Sequence, residues 1–194
     1  MNDISPIPSS RNTTTHAAII DAAASILEEK GYAGLTIEGI AKRSGAGKPT
    51  IYRWWPNKIA ILIELFDRET SRLLKIKDVG STSQEVTEWF AILWEDWQTT
   101  VSGETYRSIL AEIQSDPKAL AFFNTSYIPH RRDILMDILQ RAQDRGELPG
   151  RDLSVIVDYC CGFNWYYLLT HAVPTSKAIQ EVVNTIAPEP TPSG

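Results

Sequence analysis

The chain has 194 residues, of which 43% are hydrophobic, and a formal net charge of −5 at pH 7. No apolar run approaches the roughly 20 residues that a membrane-spanning helix needs, so the composition favours a globular protein outside membranes. The first residues, MNDISPIPSSRNTTT, lack the charged start, apolar stretch and cleavage site of a signal peptide. We therefore expect a disordered arm over residues 1–14 and a cytoplasmic protein.

The charge is unevenly distributed along the chain. Residues 36–58 contain five basic side chains and one acidic side chain, Glu38, whereas most of the acidic excess lies after residue 56. Such a basic patch on an acidic protein is either a solvated surface or a site for an anionic partner. Its position inside a short helical unit favours a site for an anionic partner over a solvated surface.

Apolar residues follow the three-and-four spacing of amphipathic helices along nearly the whole chain, and no alternating strand pattern occurs. We therefore predict an all-α fold. Pro129 is expected to kink or interrupt the long segment that contains it, and the proline-rich end PEPTPSG is expected to be disordered over residues 188–194. The predicted helices cover residues 15–30, 37–44, 48–55, 58–73, 84–101, 104–115, 117–145, 152–172 and 176–187.

The stretch SGAGKPTIYRWWPNK connects two of these helices. Thr36 is a suitable N-cap for the second helix, Gly45 and Gly47 allow a tight turn, and Pro49 suits the first turn of the third helix. Asn57 is the expected cap of the fourth helix. Helix, glycine turn and helix together are the layout of a helix-turn-helix unit.

Two faces of the third helix differ in chemistry. Ile51 and Trp55 are four residues apart and can face the core, where we expect them to meet Ile19, Ile40 and Ala41. The other face carries Lys48, Pro49, Tyr52 and Arg53, which can contact phosphates, guanine edges or thymine methyl groups. Lys58 opposes the helix dipole in the first turn of the fourth helix, and an external phosphate would relieve that conflict as well as solvent would.

The run LTIEGIAKRSGAGKPTIYRWWPNKIAIL, Leu35 to Leu62, resembles the DNA-binding domain of the tetracycline-repressor (TetR) family. The resemblance covers about residues 15–62. It implies that Lys48, Pro49 and Tyr52 meet bases or nearby sugar-phosphate, and that four residues hold the DNA backbone, namely Thr36, Thr50, Trp54 and Lys58. Trp54 stands where histidine or tyrosine is common, and Gly47 replaces a frequent serine. A purely structural role for Trp54 is the alternative.

The resemblance also implies the domain organisation. We expect a helix-turn-helix domain over residues 15–56 and a helical regulatory and dimerisation domain over residues 57–187. The last two long helices, 152–172 and 176–187, would form the interface of a homodimer. Their apolar stripe is either that interface or core within one protomer, and it consists of Leu153, Ile156, Cys160, Phe163, Tyr167 and Leu168.

Aromatic residues are concentrated in the second half of the chain. They suit a pocket for a hydrophobic or aromatic small molecule, and ordinary core packing is the alternative. Glu112, Asn164 and His171 are possible polar contacts for such a ligand. The candidate ligand-binding residues are Trp89, Leu93, Trp94, Trp97, Phe122, Phe123, Trp165 and Tyr166.

Cys160 and Cys161 are adjacent, which disfavours a disulfide between them. A buried pair of small side chains and a redox sensor both fit this pattern, although no basic neighbour in sequence marks either thiol as activated.

The sequence favours a binding protein over an enzyme. His16, His130 and His171 lie in different segments without metal-ligand spacing, and no nucleophile elbow, phosphate-binding loop or dinucleotide motif occurs. We therefore expect no catalytic residues, metal or cofactor. The resemblance implies a repressor that binds a palindromic operator as a homodimer and is released by a small hydrophobic or aromatic effector. The alternative is a DNA-binding protein that a protein partner controls.

Overall fold

The computed structural model describes residues 10–187, so the predicted tail and most of the predicted arm lie outside the described residues. The described part is entirely helical in its regular structure, as predicted. None of its helices is both long and apolar enough to cross a membrane. The helices are α1 (Ser10–Gly34), α2 (Ile37–Ser44), α3 (Lys48–Trp54), α4 (Lys58–Leu73), α5 (Thr82–Thr99), α6 (Ser102–Ile113), α7 (Pro117–Phe122), α8 (Ile128–Asp144), α9 (Leu153–Leu169) and α10 (Ser176–Ile186).

The chain divides into two compact units, Met1–Phe66 and Asp67–Gly194. The division falls inside α4, further along than the predicted boundary after residue 56. Ile59, Leu62 and Phe66 are buried, so the first half of α4 contributes its apolar side chains to the core of the first unit.

The first unit consists of α1 to α3 and the start of α4. Helix α1 begins at Ser10, earlier than the expected Thr15, and continues to Gly34 across a kink at Gly31, where φ is +66°. Ile19, Ile40 and Ile51 are completely buried, as their spacing predicted. Ala41, expected beside them, is half-buried.

The predicted caps of the first unit are confirmed. The Thr36 hydroxyl accepts a hydrogen bond of 3.0 Å from the Gly39 amide, and the Asn57 side chain accepts one of 3.0 Å from the Ala60 amide. Gly45 ends α2 in the left-handed conformation, with φ of +71°, which a residue with a Cβ rarely adopts. The turn therefore places α3 directly after α2.

The second unit contains α5 to α10, close to the predicted ranges. The segment predicted as one helix over 117–145 is divided into α7, a π-helical turn (Phe123–Tyr127) and α8. Pro129 lies in the first turn of α8, where its missing amide hydrogen costs no helical hydrogen bond. The proline therefore begins a helix, and the irregularity precedes it.

A buried carboxylate joins α5 to α8. The Glu85 side chain is completely buried, and its oxygens lie 2.7 Å from Arg141 and 3.3 Å from Arg145. A buried charge is tolerated only when it is paired in this way. Helices α5 and α8 also contribute side chains to the cavity described below.

Candidate nucleic-acid interface and ligand cavity

Helix α3 has one buried face and one exposed face. Ile51 is fully buried and Trp55 is 2% exposed, whereas Tyr52 is 54% exposed. Lys48, Pro49 and Arg53 are exposed with Tyr52. The structure therefore brings together, on the outside of the first unit, the four side chains that the sequence predicted to read DNA.

Trp55 belongs to a cluster of four side chains, which we call the His16 cluster. Its other members are His16, Trp54 and Glu64. The Trp55 indole donates a hydrogen bond of 2.8 Å to Glu64 Oε2, and Glu64 Oε1 lies 3.1 Å from His16 Nε2. The His16 ring lies 4.6 Å from the Trp55 ring and 5.3 Å from the Trp54 ring. Helices α1 and α4 thereby fix the end of the reading helix.

Trp54 has both structural and surface contacts. Its ring meets the Trp55 ring edge-on at 5.6 Å, and the Arg53 guanidinium lies 5.0 Å from its centre. The side chain is half-buried. Trp54 therefore packs in the His16 cluster while one side remains accessible beside a basic group.

Lys48 has an intramolecular partner that the sequence did not suggest. Its ammonium group pairs with the Glu38 carboxylate, and the two side chains are 47% and 70% exposed. The hydrogen bond from Lys48 lowers the pKa of Glu38. Because the pair is solvated, an incoming phosphate can exchange with Glu38 at little cost.

Two further cations of the basic patch also contact the protein itself. Arg43 binds Glu29 through two hydrogen bonds, of 2.8 and 2.6 Å, which lower the pKa of Glu29. Lys58 Nζ lies 4.0 Å from the centre of the Tyr32 ring. The ring offers Lys58 a cation–π contact, so its unfavourable position in the helix dipole does not by itself require a phosphate.

The two predicted threonine contacts differ in environment. The Thr36 hydroxyl is occupied by the cap of α2. Thr50 lies at a shallow surface hollow with Arg53, Trp54 and the turn Gly45–Gly47. Three of the predicted backbone-contacting or flanking residues thus share one surface beside the turn.

The second unit contains a cavity of about 180 Å³ between α5, α6, α8 and α9. Four of the predicted ligand-binding residues line it: Trp89, Leu93, Trp97 and Trp165. Of the predicted polar contacts, only Asn164 lines it. The remaining lining residues are Tyr106, Ile128, Arg131, Arg132, Asp158, Cys161 and Gly162.

The other four predicted ligand-binding residues lie elsewhere. Trp94 is buried and donates a hydrogen bond of 2.8 Å to Asn164, Phe122 is half-buried, and Phe123 packs 5.0 Å from Tyr127. Tyr166 is 64% exposed. Aromatic character alone therefore did not separate cavity walls from core or surface.

Sequence reasoning missed Arg131, although its spacing carries a signal. Ile128, Leu135, Ile138 and Ala142 form the inward stripe of α8, and Arg131 occupies a position in that stripe where an apolar residue is expected. A cation in an inward position is a candidate ligand contact.

The apolar stripe predicted on α9 as the dimer interface is mostly core of one protomer. Leu153, Ile156, Cys160 and Leu168 are buried, and the other two residues of the stripe are half-buried. A different face of α9 is exposed. Its apolar side chains are Val155, Tyr159, Tyr166 and Leu169, with exposed fractions of 61%, 48%, 64% and 49%.

The environment of the cysteines favours packing over redox chemistry. Cys160 is buried, and burial raises the pKa of its thiol to about 12. Burial also raises the pKa of the Cys161 thiol. Neither side chain is a thiolate at neutral pH, which is the form that reacts with oxidants. Among the described residues, no cluster of three or more His, Cys, Asp or Glu side chains could hold a metal ion.

The fold and the outward face of α3 define a helix-turn-helix regulator with a separate helical unit. Residues 19–65 match the family described as "Bacterial regulatory proteins, tetR family", and residues 76–186 match "Tetracyclin repressor-like, C-terminal domain". The chain belongs to the TetR family of bacterial transcriptional regulators, which are DNA-binding proteins rather than enzymes.

Named relatives agree with this assignment. The uncharacterized HTH-type transcriptional regulator YdeS of Bacillus subtilis is 31% identical over 160 residues, which cover 82% of this chain and 80% of YdeS. The uncharacterized regulator Rv1556 of Mycobacterium tuberculosis is 25% identical over 163 residues, which cover 83% and 80%. The crystal structure of the TetR family regulator SCO0332 has the same fold, with a TM-score of 0.80, 24% identity and coverage of 88% and 95%.

The two tryptophans are expected to differ in their effect on stability. Trp55→Ala should lower the free energy of unfolding by about 3–5 kcal/mol, because it empties a buried site and removes the partner of Glu64. Trp54→Ala should cost about 1 kcal/mol, since its ring is half-buried. Chemical denaturation followed by circular dichroism measures both, and equal losses would contradict the assignment of Trp55 as the anchor.

Proposed function

We propose that the protein is a repressor that binds a palindromic operator as a homodimer in the cytoplasm and is released by a small hydrophobic or aromatic effector. The observation that carries this proposal is the division of α3, whose buried face is anchored while Lys48, Pro49, Tyr52 and Arg53 project outward. A helix presented in this way suits insertion into the major groove.

The chemistry of the outward face fits both parts of DNA recognition. Lys48 and Arg53 can bind phosphates or guanine edges, while the Tyr52 and Pro49 rings can contact a thymine methyl group. Thr36, Thr50, Trp54 and Lys58 would hold the backbone, with Trp54 donating through its indole nitrogen. Pairing of Lys48 with Glu38 keeps the ammonium group at the surface until a phosphate replaces the carboxylate.

Dimerisation through α9 and α10 is supported by the exposed apolar side chains of α9. Val155, Tyr159, Tyr166 and Leu169 follow helical spacing on one face. A contiguous apolar surface of this kind is expected to be covered by another molecule. A symmetric dimer would cover it with the same face of a second protomer and would present two reading helices to the two operator half-sites.

Communication from the cavity to α4 is supported by contacts of α8. His130 precedes the cavity residue Arg131, and its ring nitrogen lies 3.1 Å from the Ser71 hydroxyl and 3.4 Å from Asp67 Oδ1. A ligand that displaces α8 would therefore shift the second half of α4, the helix that begins at Lys58. The effector acts only through its different affinities for the two arrangements.

The cavity also bears on the alternative, control by a protein partner. A lined cavity of about 180 Å³ between four helices favours a small molecule over a protein. A collapsed core would have favoured the protein partner.

Selection of bound sequences from a random DNA pool tests the function. The expected product is a palindrome whose half-sites are separated by about one helical turn, and its affinity should fall when an effector found by screening is added. Recovery of no preferred sequence would contradict DNA recognition, and unchanged affinity with every small molecule would contradict effector release.

Loss of Lys48 should remove one phosphate or base contact per reading helix. For Lys48→Ala, the slope of log K against log salt should become shallower by about 0.9 for each lost phosphate contact. Fluorescence anisotropy over a salt series measures it. Lys118→Ala, which removes an exposed cation of α7, is the matched control and should leave the slope unchanged. An unchanged slope for Lys48→Ala would contradict the phosphate contact.

A charge in the exposed stripe of α9 should break the dimer. Tyr166→Glu is expected to yield monomers at micromolar concentrations, because it would bury an unpaired carboxylate in the proposed interface. Light scattering coupled to gel filtration measures the mass. Ala91→Glu adds the same charge at an exposed position of α5 and should remain dimeric. A dimeric Tyr166→Glu would place the interface elsewhere.

Removal of His130 should uncouple effector from operator. His130→Ala is expected to reduce the effector-induced change in operator affinity at least fivefold while the effector Kd changes less than twofold, because the contact to α4 is lost. Titrations of effector and operator, separately and together, measure both quantities. Asp133→Ala, at an exposed position of α8, is the control, and equal behaviour of the two variants would contradict the route through His130.

A further inference from the structure

The polar groups that line the cavity of the second unit are unequally satisfied. The Trp94 indole donates to Asn164 Oδ1 at 2.8 Å. The Trp165 side chain hydrogen-bonds to Tyr106, which in turn bonds to Tyr127, and burial raises the pKa of both phenols, so they remain neutral. These groups stabilise the protein itself and leave little capacity for a ligand.

The two arginines that line the cavity also differ in whether their guanidinium groups have hydrogen-bond partners. Arg132 pairs with the Asp158 carboxylate and donates to the Ser154 carbonyl at 3.2 Å. Arg131 has no hydrogen bond or ion pair within the described residues, and its guanidinium only lies 5.7 Å from the centre of the Tyr127 ring. Arg132 therefore has a carboxylate partner, whereas Arg131 has none among the described residues.

Trp89 supplies a second unsatisfied donor. The side chain is 3% exposed, and its indole nitrogen is buried without a hydrogen-bond partner among the described residues. A buried donor without an acceptor is destabilising, because it has lost its hydrogen bond to water. Asn164, whose oxygen is taken by Trp94, adds only its amide hydrogens. The carboxylate that lines the cavity, Asp158, pairs with Arg132 and is 66% exposed at its side chain, whereas the cavity groups described here without a hydrogen-bond partner are donors.

Arg131 acts electrostatically on Asp67 and Asp96, yet burial raises the pKa of both groups overall. Neither residue lines the cavity. A ligand carboxylate would satisfy the planar guanidinium of Arg131 with two parallel hydrogen bonds.

The volume and the walls of the cavity suit a small aromatic group. A cavity of about 180 Å³ is close to the roughly 150 Å³ that accommodates one benzene ring in an engineered protein core. Trp89, Trp97 and Trp165 provide aromatic walls for such a ring.

We propose that the effector is a single-ring aromatic carboxylic acid whose carboxylate binds Arg131 and the Trp89 indole N–H. This inference rests on the proposed function, because it assigns a chemical class to the effector of the same cavity. The ring would lie against Trp97 and Trp165, and the carboxylate would take the position that no group of the protein fills.

The test compares an acid with its neutral amide. Phenylacetate and phenylacetamide have nearly the same shape, and their Kd values for the full-length protein can be measured by calorimetry or tryptophan fluorescence. We expect phenylacetate to bind at least tenfold more tightly. Arg131→Gln should abolish this preference, whereas Arg132→Gln should change it less than threefold. Equal affinities of acid and amide, or an unchanged preference in Arg131→Gln, would overturn the proposal.

Trp89→Phe gives a second measurement, because it keeps a benzene ring at this position and removes the indole N–H together with the five-membered ring. It should weaken phenylacetate binding about threefold to tenfold, and thermal unfolding confirms that each variant is folded. Failure of both phenylacetate and benzoate to bind would also overturn the proposed class.

Measuring operator affinity in the same samples distinguishes the proposed effector class from the proposed release of the operator by an effector. A neutral or long-chain ligand that releases the operator would contradict the acid and leave effector release intact. An acid that binds through Arg131 without changing operator affinity would support the site and contradict effector release.

Discussion

The burial of Trp55 is the interaction on which the position of α3 and its exposed face depends. Helix α3 has seven residues, too few to be stable alone, so its existence and its orientation come from the side chains that it buries. Ile51 supplies the apolar contact, while Trp55 adds a large ring whose only polar atom is satisfied by Glu64. Since Glu64 belongs to α4, the direction of the reading face is tied to that helix.

Helix α4 therefore has one set of contacts in its first half and another in its second half. Its Glu64 holds Trp55 and lies beside His16, and its later residues Asp67 and Ser71 contact His130 of α8. A packed helix moves largely as a body. One helix therefore contacts both Trp55, at the end of α3, and His130, beside the cavity residue Arg131.

Helix α9 has a comparable double role in the second unit. Asn164 and Trp165 face the cavity, whereas Tyr159 and Tyr166 are exposed. The exposed stripe and the cavity thus share one helix. Internal hydrogen bonds satisfy most polar groups around the cavity, which makes the unsatisfied pair, Arg131 and Trp89, stand out as the chemically distinctive part of the site.

The sequence by itself determined the helical fold, the caps at Thr36 and Asn57, and the two faces of α3, because these depend on residue spacing within one helix or turn. Only the tertiary structure decided which aromatic residues line the cavity, that Lys48 pairs with Glu38, and that Arg131 has no hydrogen bond or ion pair within residues 10–187. It also decided which stripe of α9 is buried. Both stripes are apolar in sequence, and only the packing of other helices against one of them distinguishes core from surface. The spacing of apolar residues identifies a face of a helix. Which other helices pack against that face depends on contacts between segments that are distant in sequence.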